Sequence, residues 1–295
     1  MSITKYEAEL ELKTDAILGE GPVWDAEKRV LYWVDILSGK LFEYNTKTGE
    51  NKVFEIGEHL GAVVIRERGG LVLALQSGFA FFNPSAGKIK MIADPEPHLP
   101  GNRFNDGKCD PAGRFWAGTM SYDLEKGKGS LYCLHSHLTI ERKLTGVTIS
   151  NGLAWNKAAN TLYFIDTLTH QLSAFDYDIE TGNITNRRIA AEFDKNFGYP
   201  DGMAMDEKDK LWVAFYNGSK VIRINPEGGE ISAIISLPVP KPTSCAFGGE
   251  EMDELYITTC REHMSKEEIE QAPLSGSLFK VSLPVKGLPV GLFSG

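Results

Sequence analysis

Six short apolar runs recur along this chain: LYWVD from Leu31, LVLAL from Leu71, FWAGT from Phe115, LYFID from Leu162, LWVAF from Leu211 and LYITT from Leu255. Their starts lie 40, 44, 47, 49 and 44 residues apart. A polar turn precedes each, DPAGR and DEKDK among them, and a further β-rich run follows, from GKLFEYN at Gly39 to GSLFKV at Gly276. β-branched and aromatic residues fill the runs while Gly, Asn, Asp and Pro separate them, the composition of strands and turns. A unit of about 45 residues has room for about four strands, and such units in series form the blades of a propeller. The expected fold is all-β: a six-bladed β-propeller with four-stranded blades, occupying residues 1–295 as a single domain. A sandwich rarely gives such even spacing over this length.

Closure of the ring can be read as well. The last repeat is short of an outer strand, whereas residues 6–13, YEAELELK, alternate like a strand and have no repeat of their own. The N-terminal strand is expected to pair into the last blade, closing the ring and covering an edge. The one helical candidate spans residues 265–271.

Charge and cysteine usage narrow the partners. The net charge is −9 with no run of Lys or Arg, which argues against nucleic acid and anionic membrane surfaces, since both select a basic patch. No stretch approaches the ~18 apolar residues that span a bilayer, and the N-terminus lacks the apolar core of a secretory signal. Cys109, Cys133, Cys245 and Cys260 form no CxxC pair and read as reduced, buried thiols. These readings predict a cytoplasmic, soluble protein that partners neither nucleic acid nor a membrane.

The chemistry emerges from aligning the repeats on the polar residue that opens each first turn: Asp25, Asp110, Asn156 and Asp206. Five residues earlier stand Glu20, Asn105, Asn151 and Asp201, with Leu60 and Thr243 at the corresponding places in the other two repeats. In a propeller these positions start the innermost strands and ring one mouth of the central channel. Two carboxylates and two carboxamides there make a hard, oxygen-rich cluster suited to Ca²⁺, Mg²⁺ or Mn²⁺. A competing reading takes Asn151-Gly152 and Asp201-Gly202 as turn dipeptides. Four such residues in register, with Glu20 (not a turn former) among them, favour a site. No HExxH or GxSxG motif is present, and Gly127-Lys-Gly129 is too short to cradle a phosphate. Asp106 and Asp110 fall at expected turn positions and Asp35 and Asp166 at the ends of second strands, all read as structural. Trp24 with Trp155, and Trp116 with Trp212, share repeat positions as blade packing. His135 and His137 read as solvated.

Several of these segments form longer ordered motifs: GEGPVWD at Gly19, RFNDGKCDPAGRFWAGTM at Arg103, ISNGLAWN at Ile149, PDGMAMDEKDKLWVAFYNG at Pro200 and TSCAFGG at Thr243. Through them nearly the whole chain resembles the regucalcin (senescence marker protein)/gluconolactonase/luciferin-regenerating-enzyme family. The resemblance implies a six-bladed propeller holding one divalent cation at the channel mouth and opening sugar lactones. It further implies Glu20, Asn151 and Asp201 as metal ligands, Arg103 and Asn105 as substrate-binding residues, and Asp201 as general base. Asp123 stands where many members place a Glu that hydrogen-bonds sugar hydroxyls, one methylene shorter. Calcium is the first choice of ion, with Zn²⁺, Mn²⁺ and Mg²⁺ as alternatives. The implied activity is that of a gluconolactonase-type sugar lactonase. The alternatives are a calcium-binding regulatory propeller without turnover and a hydrolase of aryl esters or organophosphates. Residues 122–129, YDLEKGKG, are the candidate lid.

Overall fold

Each of the six apolar runs forms the second strand of an antiparallel meander, in a computed structural model that describes residues 3–295. The innermost strands are Gly19–Asp25, Leu60–Ile65, Asn102–Cys109, Ser150–Trp155, Tyr199–Met205 and Pro242–Gly248. They contact one another in cyclic order, the sixth against the first, so the sheets close into a six-bladed β-propeller.

Burial grades from the axis outward. Second strands such as Val30–Asp35 and Thr161–Asp166 are buried along their whole length, whereas the outermost strand Lys88–Ala93 is almost wholly exposed. A strand buried on both faces sends alternate residues to opposite neighbours. Accordingly Tyr32 and Val34 pack toward the second blade while Leu31 and Trp33 pack toward the sixth. The buried apolar residues fall into six clusters, one between each pair of adjacent blades. The core is a ring of inter-blade seams around an axis left free for polar chemistry.

The N-terminus closes two blades rather than one. Glu9–Leu12 pairs antiparallel with Leu278–Ser282 and supplies the missing outer strand of the sixth blade, as expected. Thr4–Glu7 instead pairs parallel with Ile231–Ser236, making the fifth blade five-stranded. The break falls at Ala8, whose N–H donates to Ser236 O at 3.0 Å. Splitting the expected strand covers two open edges with one segment.

Beyond the last strand, the C-terminal segment crosses the opposite mouth of the channel. Leu288 N–H donates to Met205 O, Phe293 N–H to Ile65 O and Ser294 N–H to Gly113 O, tying the fifth blade to the second and third. Phe293 is fully buried in the seam between those two. Under this strap lies a cavity of about 390 Å³, lined by Val23, Lys108, Met205, Phe247 and Val290 among others. The expected short helix is present as Lys266–Gln271, capped by Ser265 with Glu268 completing a capping box.

Candidate metal centre at the channel mouth

All six innermost strands lose register with their neighbour at the same height. The shifts fall between Glu20 and Val23, Leu60 and Ala62, Phe104 and Gly107, Asn151 and Leu153, Pro200 and Met203, and Pro242 and Ser244. Each inner strand carries one residue more than its partner there, a bulge that bends the strand and re-aims a side chain. Glu20, Leu60, Asn105, Asn151, Asp201 and Thr243 all lie at these bulges, so the register read from the repeats is a register in space. Asn151-Gly152 and Asp201-Gly202 are therefore parts of strands, not turns. A Cβ on Gly152 would lie 2.7 Å from Asp201 O, and one on Gly202 only 2.1 Å from Ser244 Oγ. Glycine follows the site residue because the next blade passes too close for a side chain.

The four polar members of the ring are buried. Asn105 Nδ2 donates to Ser150 O at 2.9 Å and to Asn151 Oδ1 at 3.2 Å, while its Oδ1 accepts from Arg103 Nη1 at 2.7 Å. Asn151 Nδ2 donates to Thr167 Oγ1 at 2.8 Å, and that hydroxyl donates to Pro200 O at 3.0 Å. Each amide is thus locked in orientation, and Asn105 links the Arg103 guanidinium to Asn151. Glu20 Oε2 accepts from Gly21 N–H at 2.9 Å. Asp201 Oδ1 is sealed from solvent and has no hydrogen-bond partner. Outside the ring, Asp35 accepts from Ile17 and Leu18 N–H, and Asp166 from Thr148 and Ile149 N–H, all at 2.9–3.0 Å. These two carboxylates pin the chain just before Glu20 and Asn151.

Asp106 departs from expectation. Rather than sitting in a turn, it lies inside strand Asn102–Cys109, buried beneath the ring, at the place where four other repeats carry Gly21, Gly61, Gly152 and Gly202. Burial and then the Asp106 charge push Glu20 up to about 8, against the opposing pull of Gly21 N–H and Arg103. Burial, Glu20, Asp106 and Glu262 hold Asp201 well above the usual carboxylate range. Burial also raises Asp106, partly offset by Lys108, whose ammonium donates to Met203 O at 2.7 Å. Three buried carboxylates crowd the channel and form no ion pair among the described residues, an arrangement that like-charge repulsion disfavours unless a positive charge joins it. No group of three or more His, Cys, Asp or Glu side chains forms a metal cluster among the described residues. The donor set here is mixed instead: two carboxylates, Glu20 and Asp201, with the carboxamide oxygen of Asn151. Hard oxygen donors of this kind could hold a calcium-class ion, and the orphaned Asp201 Oδ1 is what such an ion would satisfy. Asp110 is structural, as expected: its fully buried carboxylate accepts from Arg114 Nε, Trp116 Nε1 and Tyr177 OH.

At the rim, Asp123 is exposed, and Ser121 Oγ accepts its backbone N–H. Its neighbour Tyr122 instead hydrogen-bonds His59 Nδ1 and lies under Arg103, whose guanidinium carbon is 5.9 Å from the ring centroid. The candidate lid therefore begins at the mouth. Five exposed large apolar side chains lie next to or at the ends of strands that reach this mouth: Ile17, Tyr122 and Leu124 on loops, Leu168 in a short 3-10 helix, and Tyr199 at the start of its strand. Glu262, on the loop after strand Glu254–Thr259, adds a further negative charge that acts on Arg103 and Asp201. Asp106 carries a signal in the repeat: a carboxylate where four other repeats carry glycine. Glu262 lies outside the repeated segment and had no such signal.

Comparison with known proteins places this geometry. The family model described as "SMP-30/Gluconolactonase/LRE-like region" matches residues 18–261. Regucalcin of Xenopus laevis is 39% identical over 284 residues, covering 94% of this chain and 95% of that protein. The "Putative sugar lactone lactonase YvrE" of Bacillus subtilis (strain 168) is 37% identical over 290 residues, covering 98% and 99%. Among solved structures, a calcium-binding protein, regucalcin, from Agrobacterium tumefaciens superposes with a TM-score of 0.95 at 27% identity, covering 100% of both chains.

Proposed function

The chain belongs to the SMP-30/gluconolactonase/LRE-like family, and on that premise we propose that it is a metal-dependent lactonase that opens sugar-acid lactones at this channel mouth. The observation that carries the reading is the sealed, unpartnered Asp201 Oδ1 in a ring that holds a second buried carboxylate, Glu20. Glu20, Asn151 and Asp201 would hold the ion. When bound, a divalent cation supplies a Lewis acid for the carbonyl and eases ionisation of nearby water. Asp201 takes the proton of the attacking water as its oxygen bonds to the carbonyl carbon. The ring C–O bond then breaks, the departing alkoxide takes a proton back from Asp201, and lactone plus water leave as the open hydroxy acid. Asp201 must be ionised to begin, and a neighbouring positive charge lowers a carboxyl pKa in the required direction. Asn105 keeps Asn151 Oδ1 in place, and Arg103 orients the lactone through the N–H groups that it does not spend on Phe104 O and Asn105.

A reading without turnover is favoured by the calcium-binding description of the Agrobacterium protein. Against it stands Arg103, a buried guanidinium with unspent donors that ion binding alone does not need. The test is hydrolysis of a panel (glucono-δ-lactone, phenyl acetate and a phosphotriester) after EDTA treatment and re-addition of Ca²⁺, Mn²⁺, Zn²⁺ or Mg²⁺. The expected result is metal-restored opening of the lactone, with kcat reduced by about 10³-fold or more in Asp201→Asn, on the scale seen when a reacting group is removed. Full activity in the chelated protein or in Asp201→Asn would overturn the proposal. Cation binding without turnover of any panel member would favour the second reading.

A further inference from the structure

The channel has a second level. Three residues along each innermost strand from the ring of Glu20, Leu60, Asn105, Asn151, Asp201 and Thr243 stand Val23, Val63, Lys108, Ala154, Ala204 and Ala246. All six line the cavity of about 390 Å³ under the C-terminal strap. Five repeats place Val or Ala at this level, and only the third places an ammonium. The cavity is thus a second chamber of the same channel, toward the mouth opposite the ring, with largely apolar walls.

Lys108 Nζ donates to Met203 O at 2.7 Å, its one hydrogen-bond partner among the described residues. Met203 belongs to the fifth blade and lies one residue nearer the ring than Ala204, so the ammonium stands at the inner end of the chamber. An ammonium carries three donors, and two of these stay free for an acceptor. Burial lowers the Lys108 pKa and Asp106 raises it, and a carboxylate entering the chamber would act in the same direction as Asp106. The rest of the lining makes the charge preference one-sided. Lys157 is exposed at the chamber's edge, and no Asp or Glu lines it among the described residues, although Asp and Glu outnumber Lys and Arg by 40 to 31 in the chain. The volume falls within the ~300–1,000 Å³ of small-ligand pockets, which combine apolar walls with a few placed polar groups. Backbone pairing frames the roof on two sides, Leu288 N–H to Met205 O at 3.2 Å and Phe293 N–H to Ile65 O at 2.8 Å.

We propose that this chamber is a second binding site, for a small carboxylate with an apolar body. The carboxylate accepts from the two N–H groups of Lys108 that Met203 O leaves free, and the body lies against the Val and Ala ring beneath Val290 of the strap. A sugar acid matches poorly, because its hydroxyls would exchange hydrogen bonds to water for apolar walls. The site differs from the metal ring in ligand class as well as in position, and it stands whether or not the ring opens lactones.

Calorimetric titration of the full chain with octanoate, in EDTA and in saturating Ca²⁺, tests the proposal. The expected result is one octanoate bound per chain with equal affinity in both conditions. Octanamide should bind at least about tenfold more weakly, as loss of a charge-assisted hydrogen bond implies, and gluconate should not bind in EDTA. Lys108→Met should weaken octanoate by that same factor and leave octanamide unchanged. Val290→Trp, which fills the chamber from the strap without altering a strand, should abolish octanoate binding. Thermal melting of both variants is followed alongside. Should Lys108→Met fail to fold, the octanamide comparison and Val290→Trp carry the decision. No octanoate binding, or binding that requires Ca²⁺ and so belongs to the ring, would overturn the proposal. So would octanamide or gluconate binding as tightly as octanoate, or wild-type octanoate affinity in either folded variant.

Discussion

Glu20 is the residue whose behaviour most directly reports an ion in the channel. Its carboxyl stands near 8 in the fold against 4.5 unperturbed, because burial and Asp106 disfavour its charge. A carboxyl raised in this way keeps a proton in the fold that the unfolded chain has already released. The native state then binds more protons between those two values, and stability falls as pH rises. The slope is about 1.4 kcal/mol per pH unit for one such group. In EDTA, Tm should decline between about pH 5 and pH 8 from this cause. Saturating Ca²⁺ should flatten the decline, since a cation stabilises the deprotonated form, and binding should release protons. Scanning fluorimetry across that range settles it: a chelated protein whose Tm holds steady or climbs with pH does not have its carboxylates crowded as described.

The element that converts sequence into site geometry is the bulged innermost strand. Residues such as Gly202 look like turn glycines in the sequence, yet their task is to let one blade lie against the next. A Cβ on Gly202 would meet Ser244 Oγ at 2.1 Å and Ser244 Cβ at 2.5 Å. Gly202→Ala should therefore push the fifth and sixth blades apart at the height of Asp201. Overpacking of this kind costs about 1–3 kcal/mol. The expected outcome is a lowered Tm together with weakened calcium binding, whereas Gly87→Ala, with nothing within 4 Å of its Cβ, should leave calcium binding intact. Calorimetric titration of both variants checks it. Unchanged calcium affinity in Gly202→Ala would show that the bulge does not position the ring.

For the whole molecule, the decisive device is closure. Six seams of similar construction hold the blades together, and the segment 4–12 adds strand pairing that ties the start of the chain to both the fifth and the sixth blade. Removing the first twelve residues would expose the strand edges Ile231–Ser236 and Leu278–Ser282 together. Exposed edges of this length pair with other chains. The truncated protein is expected to melt lower and to oligomerise in size-exclusion chromatography. A truncated protein with the elution volume and Tm of the intact chain would show that the ring closes without it.

Much of this was legible in the amino-acid sequence, for a physical reason. Strand alternation and the need for glycine or a polar residue at each blade entry are local demands, and repetition made them visible six times over. Blade number, the extra outer strand at the N-terminus and the register of Glu20, Asn105, Asn151 and Asp201 follow from those demands. The split at Ala8 does not, because it depends on which two edges remain open once the ring has formed. Nor does the burial of Asp106 or the exposure of Asp123. Each is set by how close two blades distant in sequence come to one another, and that distance exists only after the seams have packed.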